Sequence, residues 1–146
     1  MTFTTEAKAK NEDTWLSPEI QGYCEEIGEE YSICPELLEA LIETESSGNP
    51  QATCGNCRGL MQVNSDIHKD RMKRFDVSDI YDSYGNILVG TDYLAELFDE
   101  YEDLPIVLML YNGQSNAVAK GDQGKWSSYA DKIMKRSEQL ERIHGK

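Results

Sequence analysis

Apolar residues recur along this chain mostly at spacings of three and four, and helices can be placed from where those runs start and stop. Ile20, Tyr23, Cys24, Ile27 and Tyr31 share one face, and Ser17 followed by Pro18 supplies a hydroxyl cap and a proline for the first helical position, so a helix is predicted from there to about Tyr31. A second helix is predicted after Cys34, with Pro35 again at the first position and Glu36 favoured by the positive end of the helix dipole. Its apolar residues Leu37, Leu38, Leu41 and Ile42 cluster on one side, and the next position on that stripe is Glu45. Glu43 falls with Glu36 and Glu39 on the opposite side, which the pattern assigns to solvent. Glu45 therefore stands where the pattern asks for a hydrophobe. Either the helix ends there and the side chain enters a loop, or a carboxyl is set against apolar walls, which raises its pKa and lets it hold a proton near neutral pH.

Residues 47–58 are rich in Ser, Gly, Asn, Pro and Cys and are predicted to be a loop. Residues 59–64, Gly-Leu-Met-Gln-Val-Asn, suit an irregular or strand-like stretch, and the polar segment 65–75 around His68 suits a short helix. The longest helical pattern runs from about Asp82 to Tyr101, with Tyr84, Ile87, Leu88, Tyr93, Leu94, Leu97, Phe98 and Tyr101 on a broad face. Gly90 in its middle costs about 1 kcal/mol against alanine, which a close neighbour would justify. The run from Pro105 to Asn112 is apolar all round and predicts a central helix buried on every side. A last helix is predicted from about Tyr129 to Ile143, with Tyr129, Ile133, Leu140 and Ile143 on one face. No segment alternates well enough to build a real sheet, so the expected fold class is all-α, mainly helical. Residues 1–16 are polar and without period and are expected to form a flexible tail, with one domain over 17–146.

Composition narrows the function. A formal charge of -13, with 27 acidic against 14 basic residues, repels a phosphate backbone, so nucleic acid is excluded as a partner. At 39% hydrophobic residues the chain is too apolar for disorder. No run of 18 apolar residues occurs, so no membrane span is expected, and the first fifteen residues lack the apolar centre of a secretory signal. Four cysteines, Cys24, Cys34, Cys54 and Cys57, permit two disulfides in any of three pairings. The C-x-x-C at 54–57 is also half a zinc site, but the other cysteines form no second pair and His68 and His144 are isolated. Staples or packing residues are the preferred reading, and His68 is read as a surface or half-buried polar residue.

Three elements line up in order: a helix ending in Glu45 and Ser46, then Gly59-Leu60-Met61-Gln62, then Leu110-Tyr111-Asn112 at the end of the buried helix. This order resembles the catalytic domain of soluble lytic transglycosylases, related in fold to goose-type lysozyme. The resemblance covers about residues 18–140 and extends to Asn86, Ile87, Gly90, Tyr93, Leu94 and Leu97 on the long helix and to Tyr129 opening the last one. The family usually reads Ala-Tyr-Asn-Ala-Gly where this chain has Leu110-Tyr111-Asn112-Gly113-Gln114, a departure that bears on groove shape more than on chemistry.

The resemblance implies a lysozyme-like fold with Glu45 as catalytic acid and base. It implies substrate contacts from Ser46, Met61, Gln62, Tyr111 and Asn112, although Met61 and Leu60 also suit core packing. Asp66, Asp70, Asp79, Asp82 and Asp92 are available as a second carboxylate, yet none belongs to a motif. Family members are thought to use the substrate's own acetamido group instead, which makes one carboxylate enough. The implied substrate is peptidoglycan, cleaved without metal or cofactor to give 1,6-anhydro-muramyl ends. A muramidase using the same glutamate and a catalytically silent wall-binding module are the alternatives. Action in the cell wall or extracellular space, by a monomer of bacterial, phage or mobile-element origin, is expected. Because such a protein works where disulfides persist, at least one is expected, with its pairing open.

Overall fold

The structure is a computed structural model that describes residues 13–146. Most of the expected tail, residues 1–16, lies outside the described residues. The part described is docked: Leu16 is buried and its carbonyl accepts from the Gln21 amide at 2.7 Å, and Asp13 reaches His144. Seven helices and three very short strands follow among the described residues. They are α1 (Pro18–Tyr31), α2 (Pro35–Ser46), β1 (Thr53–Cys54), β2 (Cys57–Arg58), β3 (Val63–Asn64), α3 (Lys69–Arg74), α4 (Ser83–Tyr101), α5 (Leu104–Tyr111), α6 (Ala117–Asp122) and α7 (Ser128–Ile143). The fold is all-α in class, as the spacing of apolar residues predicts.

Local chemistry explains the boundaries. The Ser17 hydroxyl accepts from the Ile20 amide at 3.2 Å, the Asp82 carboxylate from Gly85 at 2.8 Å and the Ser127 hydroxyl from Ala130 at 3.1 Å, so α1, α4 and α7 each open on a side-chain cap. Proline stands in the first turn of α1, α2 and α5, where its missing amide hydrogen costs nothing. Two elements escape the sequence pattern. Residues 53–58 form a hairpin around Gly55, whose φ of 61° suits the turn, and α6 spans six residues with only Ala117 buried. Neither is long enough for a period to show.

Helix α2 packs against α1 on one side and α7 on the other, α4 packs on α1 and α5, and α5 also meets α6 and α7. Ile106, Val107, Leu108 and Met109 of α5 are buried, as its all-apolar run predicts. Helix α2 is buried as well, and here the reading of its polar face needs correction. Glu36, Glu39 and Glu43, expected in solvent, are only 1%, 4% and 6% exposed. The reason is that α7 runs antiparallel across that face and brings cations to it. Arg136 Nε donates to Glu43 Oε1 at 2.7 Å, and Lys146 Nζ stands 2.7 Å from Glu36 Oε1. Glu39 has no hydrogen-bond or ion-pair partner among the described residues, and burial pushes its pKa up to about 7.

A buried ion pair stabilises little over a well-packed apolar pair, but removing one partner strands the other charge. Arg136→Met is therefore expected to lower stability by about 3–5 kcal/mol in urea denaturation, with Glu43→Leu added to it recovering a substantial part. Equal losses in the single and double variants would show that Glu43 is not the burden.

Candidate active site

Glu45 is the last residue but one of α2, where the helix stops because Ser47 turns left-handed at φ 54°. The Ser46 hydroxyl helps that stop, donating to the Ile42 carbonyl at 3.1 Å and accepting from Gly48 at 3.2 Å. Helix α7 begins directly opposite. Its cap on Ser127 places Tyr129 in the first turn, and the Tyr129 hydroxyl donates to Glu45 Oε2 at 2.9 Å. Burial raises the Glu45 pKa to about 7, and the bond from Tyr129 pulls the other way by favouring the carboxylate.

A cleft of about 200 Å³ lies between the segment 57–68, the middle of α4 and the end of α5. Glu45 is not part of its lining, but it lies near enough to two residues that are, Cys57 and Tyr111, for its charge to act on both. The walls are tied together from below. Buried Asn86 on α4 accepts from the Met61 amide at 2.8 Å and donates to the carbonyls of Arg58 at 2.9 Å and Ile80 at 2.8 Å. A side chain at Gly90 would put its first carbon 2.7 Å from Met61 Sδ, so the close neighbour that the mid-helix glycine called for is Met61. The Tyr111 hydroxyl donates to the Met61 carbonyl at 2.8 Å, joining the end of α5 to the same segment. His68, Tyr93 and Tyr111 continue along the cleft as neighbouring rings, with centroids 4.5 and 5.6 Å apart.

These positions sort the residues expected at a site. Glu45 lies near enough to Tyr111 for its charge to act on the hydroxyl. Asn112 is exposed at the cleft, and Gln62 lines it, but the Gln62 amide nitrogen is committed to the carbonyls of Gly59 and Ala52 at 2.9 and 3.1 Å. Met61, expected to touch substrate, is instead fully buried and serves packing. Ser46 is buried with its hydroxyl turned onto the helix end, away from the substrate contact expected of it. Of the other carboxylates, Asp92 is held by Arg71, Arg74 and Tyr31, Asp82 and Asp79 accept from backbone amides, and Asp66 and Asp70 are exposed. None of them is among the groups that shift Glu45. Tyr129, whose place at the start of the last helix was legible in the sequence, proves to be the hydrogen-bond partner of Glu45.

The expected disulfide is corrected: all four cysteines are free. Cys24 is wholly buried in the core, and Cys34 at the start of α2 donates to Glu36 and Glu141, with its pKa pushed up to about 11 mainly by burial. Only Cys54 and Cys57 face one another, across the hairpin turn. The one group of three His, Cys, Asp or Glu side chains close enough to share a metal ion, among the described residues, is Glu36, Glu39 and His144 at the opposite end of α2.

Comparison with known proteins adds two findings. Residues 22–133 match the family described as "Transglycosylase SLT domain". The chain is also 36% identical over 107 residues, 73% of its length, to a protein named "Transglycosylase" from Enterobacteria phage PRD1. The matched region is 38% of that phage protein, so the chain corresponds to a minor part of it.

The raised pKa of Glu45 has a consequence for stability. The folded protein holds a proton that the unfolded chain releases between about pH 4.5 and 7, so the stability Glu45 contributes at low pH is lost as pH rises through that window. Glu45→Gln should match wild type at about pH 4 and be more stable by about 1–2 kcal/mol at about pH 8, a figure discounted because the carboxyl touches solvent. Urea denaturation at the two pH values reads the difference, and an equal offset at both would contradict it.

Proposed function

Since the chain belongs to the SLT transglycosylase domain family, we propose that it is a peptidoglycan lytic transglycosylase with Glu45 as its single acid and base. The bond cut is the β-1,4 link between N-acetylmuramic acid and N-acetylglucosamine. The observation that carries this reading is the setting of Glu45, a half-buried carboxyl whose charge acts on cleft residues Cys57 and Tyr111, bonded to the Tyr129 hydroxyl and raised in pKa to about 7.

The chemistry needs one group to act first as acid and then as base. Protonated Glu45 gives its proton to the leaving glycosidic oxygen as the bond to C1 breaks. The acetamido oxygen of the same muramyl residue closes on C1 to form an oxazolinium ion, which takes the place of a carboxylate nucleophile. Glu45, now ionised and held by Tyr129, removes the proton from the 6-hydroxyl of that sugar. Its oxygen attacks C1, the acetamido group is released, and the product is a 1,6-anhydro sugar, with Glu45 protonated again and no water consumed. A pKa near 7 suits both halves, because neither protonation state is then costly to reach near neutral pH. The engagement of Asp79, Asp82 and Asp92 elsewhere favours a mechanism with one protein carboxylate. Tyr111 and the rings of Tyr93 and His68 offer the cleft surface along which a glycan strand can lie.

On this reading the protein acts on glycan strands in the cell wall or extracellular space, and we propose that it does so as a monomer. Among the described residues no helix is long and apolar enough to cross a membrane. The phage relative supports a phage or mobile-element setting.

Purified cell wall digested with the protein should yield muropeptides ending in anhydro-muramic acid, each one water lighter by mass spectrometry than a hydrolase product. Reducing ends in their place would overturn the reading in favour of a muramidase, and wall binding without turnover would favour a silent module. Glu45→Gln is expected to lower turnover by about 10²–10⁴-fold while wall binding persists. Wild-type activity should fall as pH rises above about 7, where Glu45 loses the proton it must donate.

A further inference from the structure

A second cluster of titratable groups lies where the start of α2 meets the end of α7, well apart from the cleft. Glu36 and Glu45 are nine residues apart on one helix, which is about 13 Å. In the cluster, ligand atoms of Glu36, Glu39 and His144 all lie within 4.8 Å of one another. The three side chains line a pocket of about 240 Å³ together with Glu25 and Lys146.

Two features distinguish this group from an ordinary acidic patch. The first is Glu39. It is 4% exposed, it lines the pocket, and it has neither a hydrogen bond nor an ion pair among the described residues. A carboxyl so largely shielded, open only to the pocket and without a bonded partner, is one whose ionised form a cation in that pocket would stabilise. The second is the orientation of His144. Its Nε2 is 2.8 Å from Asp13 Oδ1, while its Nδ1 faces Glu36 Oε1 at 3.3 Å. Asp13 fixes the ring through one nitrogen and leaves the other beside Glu36, near enough for both to ligate one ion once the imidazole is neutral.

We propose that Glu36, Glu39 and His144, with Asp13 orienting the imidazole, bind one divalent transition-metal ion of the zinc class. One imidazole with two carboxylates is a donor set that zinc accepts readily, whereas magnesium and calcium prefer oxygen alone. The ligands come from two elements distant in sequence, so the ion ties the end of α7 to the start of α2. Its role is structural, and it takes no part in turnover at Glu45. The Lys146 ammonium, 2.7 Å from Glu36 Oε1, is the cation that competes for the same carboxylate. Binding then requires His144 in its neutral form and displaces Lys146 from Glu36.

Calorimetry of the chelator-treated protein with zinc chloride at about pH 7.5, alongside thermal unfolding, tests this directly. One equivalent is expected to bind and to raise the melting temperature, with magnesium and calcium giving neither effect. Glu39→Gln and His144→Ala should abolish the zinc-dependent shift, and Asp13→Ala should weaken binding by about 10–100-fold. Lys146→Ala should tighten binding, and that result does not depend on a ligand variant keeping its fold. The double variant Cys54→Ser, Cys57→Ser should bind as wild type does. No zinc-dependent shift in wild type, or a shift that survives in the Glu39 and His144 variants and vanishes in the cysteine variant, would overturn the proposal. Anhydro-muropeptide production measures the separate claim about Glu45 and is expected to continue in chelator.

Discussion

Helix α7 lies antiparallel across α2, and the rest of the molecule depends on that contact, because α2 carries four glutamates into the fold and a buried carboxylate needs a partner. Along α7 the partners come in reverse order to the carboxyls: Tyr129 meets Glu45, Arg136 meets Glu43, and His144 with Lys146 beyond the helix end meets Glu36. Buried Ala130, Ile133 and Leu140 belong to the apolar core between those polar contacts. One interface therefore sets the stability of the interior and the protonation of the candidate catalytic group. Glu43 is met by a guanidinium, a full charge. Glu45 is met by a neutral hydroxyl, so burial dominates and its proton is held to about 7.

The other side of the cleft is built on a different principle. It relies on one buried amide and one missing side chain. Asn86 satisfies three backbone groups of the segment 58–61 and residue 80, and Gly90 leaves the space that Met61 fills. Tyr111 then bonds the Met61 carbonyl, so α4, α5 and the 59–64 segment hold one another in register. Met61 is thus a foundation for the cleft wall and not part of its surface. The same holds for Ser46, whose hydroxyl finishes the helix that presents Glu45.

Much of this was legible from residue pattern. Ser17 with Pro18, Pro35 and Asp82 marked where three helices start, since capping and the proline ring act locally. The place of Glu45 on an apolar stripe anticipated a carboxyl out of water. The opposite face of the same helix was misread, because periodicity separates polar from apolar positions but does not tell a solvated glutamate from one met by a distant arginine. Nothing near residues 36–43 announces that Arg136 and His144 will arrive there. The hairpin at 53–58 and helix α6 were too short to leave a period. The commitment of Gln62 to two backbone carbonyls depends on its left-handed backbone, φ 51°, which no local residue type signals.

The central claim is that burial, moderated by one hydroxyl, sets the Glu45 carboxyl to change charge near neutral pH. Titration of that carboxyl by carbon NMR, in wild type and in Tyr129→Phe, tests it without substrate. The account predicts a wild-type midpoint near 7 and a higher one in the variant, since the bond from Tyr129 favours the ionised form. A wild-type midpoint at the ordinary value of 4.5, unmoved by the substitution, would contradict it.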